Sequence, residues 1–268
     1  HDINFIALAG ALQAIGPADA PPVVPLNLIG DYSAGGLMLA FGVACALYER
    51  STSGKGQVLD VAMVDGIASM MAVFCQMLAQ GSWSATRGEH WLDGSAHWYG
   101  CYETADHRYL TVGALEGPFY DQLLARLGLD PDEWPQWDRA RWPALRGRLA
   151  GVFGSETLRH WQSELEGSDV CFAAAPSLSE AFVHPHLVAR GTFVDHEGVM
   201  QPAPAPRFGR TPGVIGGSAP SWDADGPAMR RTRRRDRGSE DRDTDGRHVG
   251  DDDASSTVGL SASRDKPL

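Results

Sequence analysis

HDINF at residues 1–5 and PLNLIGDYSAGG at residues 25–36 are the stretches from which the rest of the chain is interpreted. In each of them a side chain that can carry a proton, His1 or Asp31, stands where an apolar helix is predicted to begin. Imidazole and carboxylate groups act as acids and bases near neutral pH once their surroundings tune them. The first N–H groups of a helix lack intrahelical partners and can hold a developing negative charge. The two stretches therefore supply two candidate proton carriers.

The pattern that follows these stretches predicts a parallel α/β sheet. Residues 3–15 are apolar around most of the helix circumference, which is typical of a buried helix, and two further apolar helices are predicted at 33–50 and 64–80. The run at 58–63 predicts a short strand that lies between a tight turn and the third helix. Helix, turn, strand and helix in this order favour a parallel sheet. We therefore assign residues 1–85 to part of a large α/β domain.

A different pattern begins near residue 95 and predicts a small α+β domain over residues 95–190. Two β-prone runs, 98–104 and 109–115, are separated by four polar or small residues and predict a hairpin. The elements predicted after the hairpin are helices at 118–127, 140–153 and 155–165, the last capped by Ser155, a strand at 170–174 and a broken helix at 177–189. The domain boundary is predicted between residues 82 and 96.

The C-terminal quarter of the chain differs from both domains. Residues 191–213 are predicted to return to the large domain, through a strand and a proline-rich connector. Residues 214–268 hold ten Lys or Arg, eleven Asp or Glu and only thirteen hydrophobic residues. Such a segment cannot bury enough apolar surface to offset its ordering entropy. We therefore predict that 214–268 is a disordered tail.

Charge and composition exclude several classes of function. The net charge of −11 argues against a nucleic-acid-binding protein, which usually presents a basic surface. No apolar run is judged long and uninterrupted enough to span a bilayer, so no membrane partner is expected. The four cysteines are widely spaced, and we expect reduced, mostly buried thiols in a cytoplasmic protein rather than disulfides or a zinc site. They are Cys45, Cys75, Cys101 and Cys171.

Two further motifs are rejected. Gly54-Lys55-Gly56 lacks the length and the Ser or Thr of a phosphate-binding loop, and it does not open a helix after a strand. The histidines at 90, 97, 184 and 186 lack the companions that a metal site requires, so no metal is expected.

Taken singly, the chemistry-bearing residues have simpler interpretations. His1 before an apolar helix is usually a surface or capping residue, and Asp31 before a helix is most simply an N-cap. Glu116 follows the second strand of the hairpin and could simply begin the next helix, where carboxylates are favoured. Spacing alone therefore favours a capping or surface role over a catalytic one for each of these residues.

The combination of motifs carries more information than any one residue. Their order along the chain closely resembles the α-methylacyl-CoA racemases, within the larger family of class III CoA-transferases. The six motifs are HDIN (1–4), PLNLIGDYSAGG (25–36), TSGKGQVLDVAMVDG (52–66), WLDG (91–94) followed by Tyr99, TADHRYLTVGALEGPFY (104–120) and HPHLVARGTF (184–193). The resemblance covers roughly residues 1–210.

The resemblance implies a reaction and roles for four residues. These racemases interconvert R and S 2-methyl-branched acyl-CoA thioesters through an enolate, with one proton carrier on each face of the α-carbon. His1 and Asp31 match the two carriers, and Glu116 matches the acid that orients the histidine. The backbone N–H of Asp2 matches the donor near the thioester oxygen, where charge accumulates. No metal or redox cofactor is implied, since coenzyme A is part of the substrate.

The resemblance also implies a fold, an assembly and an alternative activity. It implies a Rossmann-like large domain, only part of which this chain represents, and an interlocked homodimer with the active site between the two subunits. A class III CoA-transferase, in which Asp31 would be a nucleophile that forms a covalent acyl intermediate, is the alternative. Transferases typically carry tyrosine where this chain has His1, which favours the racemase. A third interpretation is a truncated, inactive family fragment, since family chains begin well before this motif and the tail is unlike theirs.

Overall fold

The computed structural model describes residues 1–217, and the described residues form two compact units. The first unit is His1–His184, and the second begins at Pro185. The four-part domain division predicted from the sequence remains a prediction. The predicted disorder falls almost entirely on residues 218–268, which lie outside the described part of the chain.

Helices make up most of the regular structure. The α-helices are α1 (Asp2–Leu8), α2 (Met38–Ser53), α3 (Met63–Met70), α4 (Ala72–Ala79), α5 (Gly117–Leu127), α6 (Trp142–Phe153), α7 (Leu158–Leu165), α8 (Leu178–Phe182) and α9 (Pro185–Arg190). A π-helix over Leu28–Leu37 runs directly into α2. The strands are β1 (Tyr99–Glu103), β2 (Tyr109–Gly113), β3 (Phe172–Ala174), β4 (Phe193–His196) and β5 (Val199–Pro202).

Both sheets in the described residues are antiparallel. The first has the order β1-β2-β3, and the second pairs β4 with β5 as a hairpin. The predicted hairpin at 98–115 is confirmed, with Tyr99 opposite Gly113 and Glu103 opposite Tyr109. The short strand predicted at 170–174 and the broken helix at 177–189 are confirmed as well.

The strand predicted at 58–63 is wrong, and no parallel sheet forms within residues 1–217. Residues 54–62 adopt neither helix nor strand, and Val58 is 94% exposed. A β-prone sequence becomes a strand only when a neighbouring strand satisfies its backbone groups. No strand pairs with this segment in the described chain. The segment therefore keeps the composition of a buried strand without its structure.

The larger of the two apolar cores found within residues 1–217 lies under the three-stranded sheet. Helix α5 buries Tyr120, Leu123 and Leu124, as its predicted apolar face requires. Trp98 and Phe153 are fully buried beside them. These residues come from the hairpin and from α5 and α6, so the core joins elements that are adjacent in sequence. Local amphipathic periodicity was therefore sufficient to predict this region.

The start of α7 shows a more local correction. Thr157, rather than the predicted Ser155, accepts a hydrogen bond from the N–H of His160 at 3.3 Å. Ser155 instead donates from Oγ to the carbonyl of Val152 at 2.7 Å. The N-cap of α7 thus lies two residues later than predicted, and the helix begins at Leu158.

The second, smaller core gathers the N-terminal elements. Ile6 of α1, Ala34 of the π-helix and Ile67 of α3 are buried against one another and against Ala11. The helix predicted at 3–15 is shorter than expected, since α1 ends at Leu8 and a 3₁₀ turn follows it. This core packs the two sequence stretches that carry His1 and Asp31 onto α3.

The apolar helix predicted at 33–50 forms as the end of the π-helix and as α2, and α2 lies at the surface. None of its residues is buried, and Phe41 is 65% and Tyr48 78% exposed. The continuous helix Leu28–Ser53 has 26 residues and a mean hydropathy of 1.4 in its most apolar window, of which 11% is buried. It is long and apolar enough to cross a membrane, so the statement that no run reaches this length is wrong. Length and composition alone do not distinguish a membrane span from a helix that packs against another protein surface.

The cysteines also differ from expectation. All four are free but exposed, so the prediction of mostly buried thiols is wrong. Cys101 shows the reason, because it alternates with the buried Tyr102 along β1 and so faces outward. An apolar run in a strand with only one buried face leaves every second side chain at the surface.

Candidate active site

The hydrogen bonding around Asp31 departs from that of an α-helix. In an α-helix the N–H of Asp31 would donate to the carbonyl four residues earlier, that of Asn27. It donates instead to Oδ1 of Asp2, at 2.7 Å. The Asn27 carbonyl accepts from the next N–H, that of Tyr32, at 3.3 Å. A bond across five residues defines a π-helical turn, a rare geometry that is often found at functional sites.

Two glycines allow the close packing that surrounds Asp31. A Cβ on Gly30 would lie 2.8 Å from Cγ of Asp2 and closer still to Oδ1. A Cβ on Gly66 of α3 would lie 2.6 Å from the carbonyl oxygen of Ala34, which is itself fully buried. A side chain at position 30 would displace the Asp2 carboxylate, and one at position 66 would push α3 away from the π-helix. Sequence reasoning had not identified Gly30 or the carboxylate of Asp2, although the position of Gly30 directly before Asp31 was a usable signal.

The two predicted proton carriers lie on neighbouring elements. His1 is exposed at the start of α1, where its carbonyl accepts from the N–H of Asn4 at 3.0 Å. The side chain of Asp31 is also exposed, and its Oδ2 accepts from Nδ2 of Asn27 at 3.3 Å. Asp31 lies inside the π-helix, so its interpretation as an N-cap is wrong. Because Asp2 bonds to the Asp31 backbone, the structure brings the segments of His1 and Asp31 together.

Glu116 lies elsewhere in the same chain. It is the exposed N-cap residue of α5, and its carbonyl accepts from the N–H groups of Phe119 and Tyr120. Within residues 1–217, no hydrogen bond or ion pair joins Glu116 to His1. Its role as the residue that orients the histidine remains a prediction.

An apolar cavity of about 270 Å³ lies beside the π-helix. Its wall includes Ile29, two residues before Asp31, and Met70, whose sulfur lies 3.6 Å from Oγ of Ser33. Ile67, Phe74 and Trp83 continue this wall, and the lining is almost wholly apolar. The cavity can accept a hydrocarbon group and offers little to a charged one.

Arg87, in the segment after α4, forms hydrogen bonds to the loop that precedes the π-helix. The guanidinium of Arg87 donates to the carbonyls of Pro17 at 2.7 Å, Gln13 at 3.0 Å and Ala20 at 2.5 Å. These carbonyls belong to the loop that leads from α1 to the π-helix. Arg87 therefore holds this loop with three bonds that only a guanidinium can make together.

The buried His97 is hydrogen-bonded within the larger core. His97 is fully buried; its Nε2 lies 2.6 Å from Oη of Tyr120, which donates to the carbonyl of Trp134 at 2.9 Å. Burial, together with the charges of Arg141 and Arg146, lowers the pKa of His97 to about 4. The ring is therefore neutral at pH 7. In residues 1–217, no three His, Cys, Asp or Glu side chains are grouped so that they could hold a metal ion.

Comparison with known proteins identifies the family of the chain. Residues 1–226 match the family model described as CoA-transferase family III. The chain is 41% identical over 216 residues to the mouse alpha-methylacyl-CoA racemase and 39% identical to the human one, and each alignment covers 80% of the chain. The chain spans 57% of the mouse protein and 56% of the human one.

The fold also has a counterpart among solved structures. A CAIB/BAIF family protein from Brucella suis superposes with a TM-score of 0.69 at 22% identity, over 87% of this chain and 62% of that protein. The mixed α/β fold described above is thus that of an existing structural family. With a family model that covers most of its length, the chain belongs to CoA-transferase family III.

Proposed function

We propose that the protein containing this chain is a racemase of 2-methyl-branched acyl-CoA thioesters, which places it in lipid metabolism. His1 and Asp31 would exchange the α-proton from opposite faces of the α-carbon. The backbone N–H of Asp2, which lacks an intrahelical partner as the first residue of α1, would stabilise the enolate oxygen. Coenzyme A is part of the substrate, and no metal or redox cofactor enters the proposed reaction.

One observation carries this proposal further than similarity does. The bond of 2.7 Å between the Asp31 N–H and the Asp2 carboxylate joins the segments that hold the two proton carriers. A proton transfer between two faces of one carbon requires both groups to be held within a few ångströms of the same atom. The apolar cavity beside the π-helix supports an acyl substrate, since it suits a hydrocarbon chain.

Exchange in deuterated water tests the reaction. A single epimer of a 2-methylacyl-CoA, incubated with the protein, is expected to gain α-deuterium and to yield the other epimer. His1→Gln and Asp31→Asn are each expected to slow epimerisation by about a hundredfold or more, because general acid–base groups contribute on this scale. Asp19→Asn, which changes an exposed carboxylate in the loop before the π-helix, is the matched control. Epimerisation at the wild-type rate by the Asp31→Asn variant would contradict the proposed role of Asp31.

The position of Glu116 is explained if the site is shared between two copies of the chain. Glu116 is exposed at the start of α5 and makes no bond to His1 of its own chain in the described residues. The family resemblance implies an interlocked homodimer in which Glu116 of one copy meets His1 of the other. The proposed homodimer thus supplies the acid that orients the imidazole.

Mixed dimers test this shared site. Co-expression of His1→Gln chains with Glu116→Gln chains produces some dimers in which one site keeps both native residues. Activity is expected to return in the mixture, whereas each variant alone is inactive. Failure of the mixture to regain activity, with heterodimers demonstrated by mass spectrometry, would place both residues in one chain's site.

A CoA-transferase is the second candidate, because the family is named for that activity. In this case Asp31 would form a covalent acyl intermediate, and its exposed carboxylate is accessible to a thioester. Transfer of CoA to an added free acid, without α-deuterium, would identify the transferase. Absence of both reactions, from a preparation that unfolds cooperatively, would contradict both proposals and agree with an inactive fragment.

A further inference from the structure

The carboxylate of Asp2 sets the backbone register at Asp31. Its Oδ1 accepts the N–H of Asp31 at 2.7 Å across 29 residues of sequence. This bond removes the donor that an α-helix would direct at the Asn27 carbonyl. That carbonyl then takes the N–H of Tyr32 at 3.3 Å, which is the π-helical pattern. The side chain of a residue in another helix thus occupies the place of one α-helical hydrogen bond.

The register determines where Asp31 points. Successive residues of an α-helix are separated by about 100° around the axis, since there are about 3.6 residues in each turn. Loss of the π turn would therefore rotate the side chains on one side of it relative to those on the other. Gly30, Gly35 and Gly36 carry no side chain and so offer no resistance to such a rotation. The external bond from Asp2 supplies the constraint that the glycine-rich sequence lacks.

Gly30 leaves the space in which the Asp2 carboxylate lies. It is buried, and a Cβ at this position would lie 2.8 Å from Cγ of Asp2. Glycine is thus the residue that lets the carboxylate reach the backbone of the π-helix. Asp2 is partly exposed, so the bond is formed at the edge of the small N-terminal core rather than within it.

We propose that the Asp2 carboxylate is a positioning residue that holds the π-helical register of residues 27–32 and thereby aims Asp31. The proposal rests on the proposed function for its catalytic consequence, because it concerns the aim of a proton carrier. One residue then has two tasks, since its N–H would face the thioester oxygen while its carboxylate fixes the second acid–base group. The donor that stabilises the enolate and the group that exchanges the proton would be mechanically coupled.

Crystal structures of two variants of the full chain test the register without reference to activity. In Asp2→Leu the acceptor is lost, and the Asp31 N–H is expected to bond to the Asn27 carbonyl as in an α-helix. In Asp2→Asn an amide oxygen can still accept the N–H, so the π turn is expected to persist. A π turn retained unchanged in Asp2→Leu would overturn the proposal.

Kinetics on the same variants test the consequence for the reaction. Asp2→Leu is expected to lower kcat for epimerisation on the order of a hundredfold, as misplacement of a catalytic group by about 1 Å can do, with KM nearly unchanged. Asp2→Asn is expected to keep most of the activity. If the carboxylate acted only through its negative charge, this variant would lose activity as well. Gly30→Ala, which displaces the carboxylate from the opposite side, should reproduce the Asp2→Leu effect.

The outcomes separate the two proposals. If the wild-type chain shows no epimerisation but Asp2→Leu loses the π turn, the proposed function fails and the positioning role stands. If the wild type is active and Asp2→Leu keeps both its turn and its kcat, the positioning role fails and the function stands. Thermal melts of each variant establish that a lost activity is not a lost fold.

Discussion

Replacement of Gly66 by alanine tests the close contact between α3 and the π-helix that carries Asp31. Gly66 is buried inside α3, and a Cβ there would lie 2.6 Å from the carbonyl oxygen of Ala34 and 2.9 Å from its Cβ. Real Cβ atoms essentially never approach other atoms below 3.0 Å. Because backbone and alanine atoms have no rotamer that could relieve the overlap, one of the two helices must move.

The free energy of unfolding reflects two opposing effects. Alanine is favoured over glycine inside a helix by about 1 kcal/mol. Insertion of an extra carbon into a filled core costs typically about 1–3 kcal/mol, and more where nothing can shift. The contact with a backbone carbonyl places Gly66→Ala near the upper end of this range. We therefore expect a net destabilisation of about 1–2 kcal/mol.

The same substitution at Gly147 is the matched control. Gly147 lies inside α6, and no atom lies within 4 Å of a Cβ built there. Gly147→Ala is expected to stabilise the protein by about 0.5–1 kcal/mol, since only the helix preference acts. Urea unfolding of both variants measures the difference, with the m-value as a check on two-state behaviour. Stabilisation by Gly66→Ala as large as that by Gly147→Ala would contradict the close contact between α3 and the π-helix.

Three further predictions concern the core and its connections. The pKa of His97 is about 4 in the folded protein against an ordinary value of 6.5. Between these pH values the unfolded chain binds a proton that the folded protein does not, so the free energy of unfolding falls by roughly 3 kcal/mol as the pH drops from 6.5 to 4. Thermal melts across this range should lose that part of the pH dependence in His97→Phe but not in a variant of the exposed His160. Asp106 accepts the first N–H of α7 at 2.9 Å, so Asp106→Ala should lower the urea midpoint of unfolding; no change would exclude a capping role. Arg87→Lys cannot keep all three carbonyl partners, so the free energy of unfolding should fall by about 1–3 kcal/mol. Faster proteolysis in the loop over residues 13–20 is the readout.

Much of the region after residue 95 could be predicted from the sequence because its interactions are local. The hairpin β1–β2 closes over a short turn, and α5 carries its buried face at regular helical spacing. The motifs that include His1, Asp31 and Glu116 were likewise readable, and they indicated the family to which the chain belongs. Patterns of this kind need only neighbours in sequence to be interpreted.

The segment at 58–63 shows where such patterns fail. Its composition is that of a strand, but a strand also requires a partner, and the described chain provides none. Helix α2 shows the related point that an apolar helix need not be buried, since its surface is exposed in the described chain. Burial and pairing depend on what lies opposite, which no local window contains.

The sequence by itself determined which residues are able to carry protons and which helices bear them. Tertiary structure decided how Asp31 is held, because its N–H bonds to a carboxylate 29 residues away rather than to its own helix. That exchange of partners occurs in the first turn of the π-helix, where a Cβ at position 30 would collide with the Asp2 carboxylate. The periodicity of the sequence does not predict this hydrogen bond. The competing acceptor lies in another helix and becomes available only when α1, the π-helix and α3 pack together.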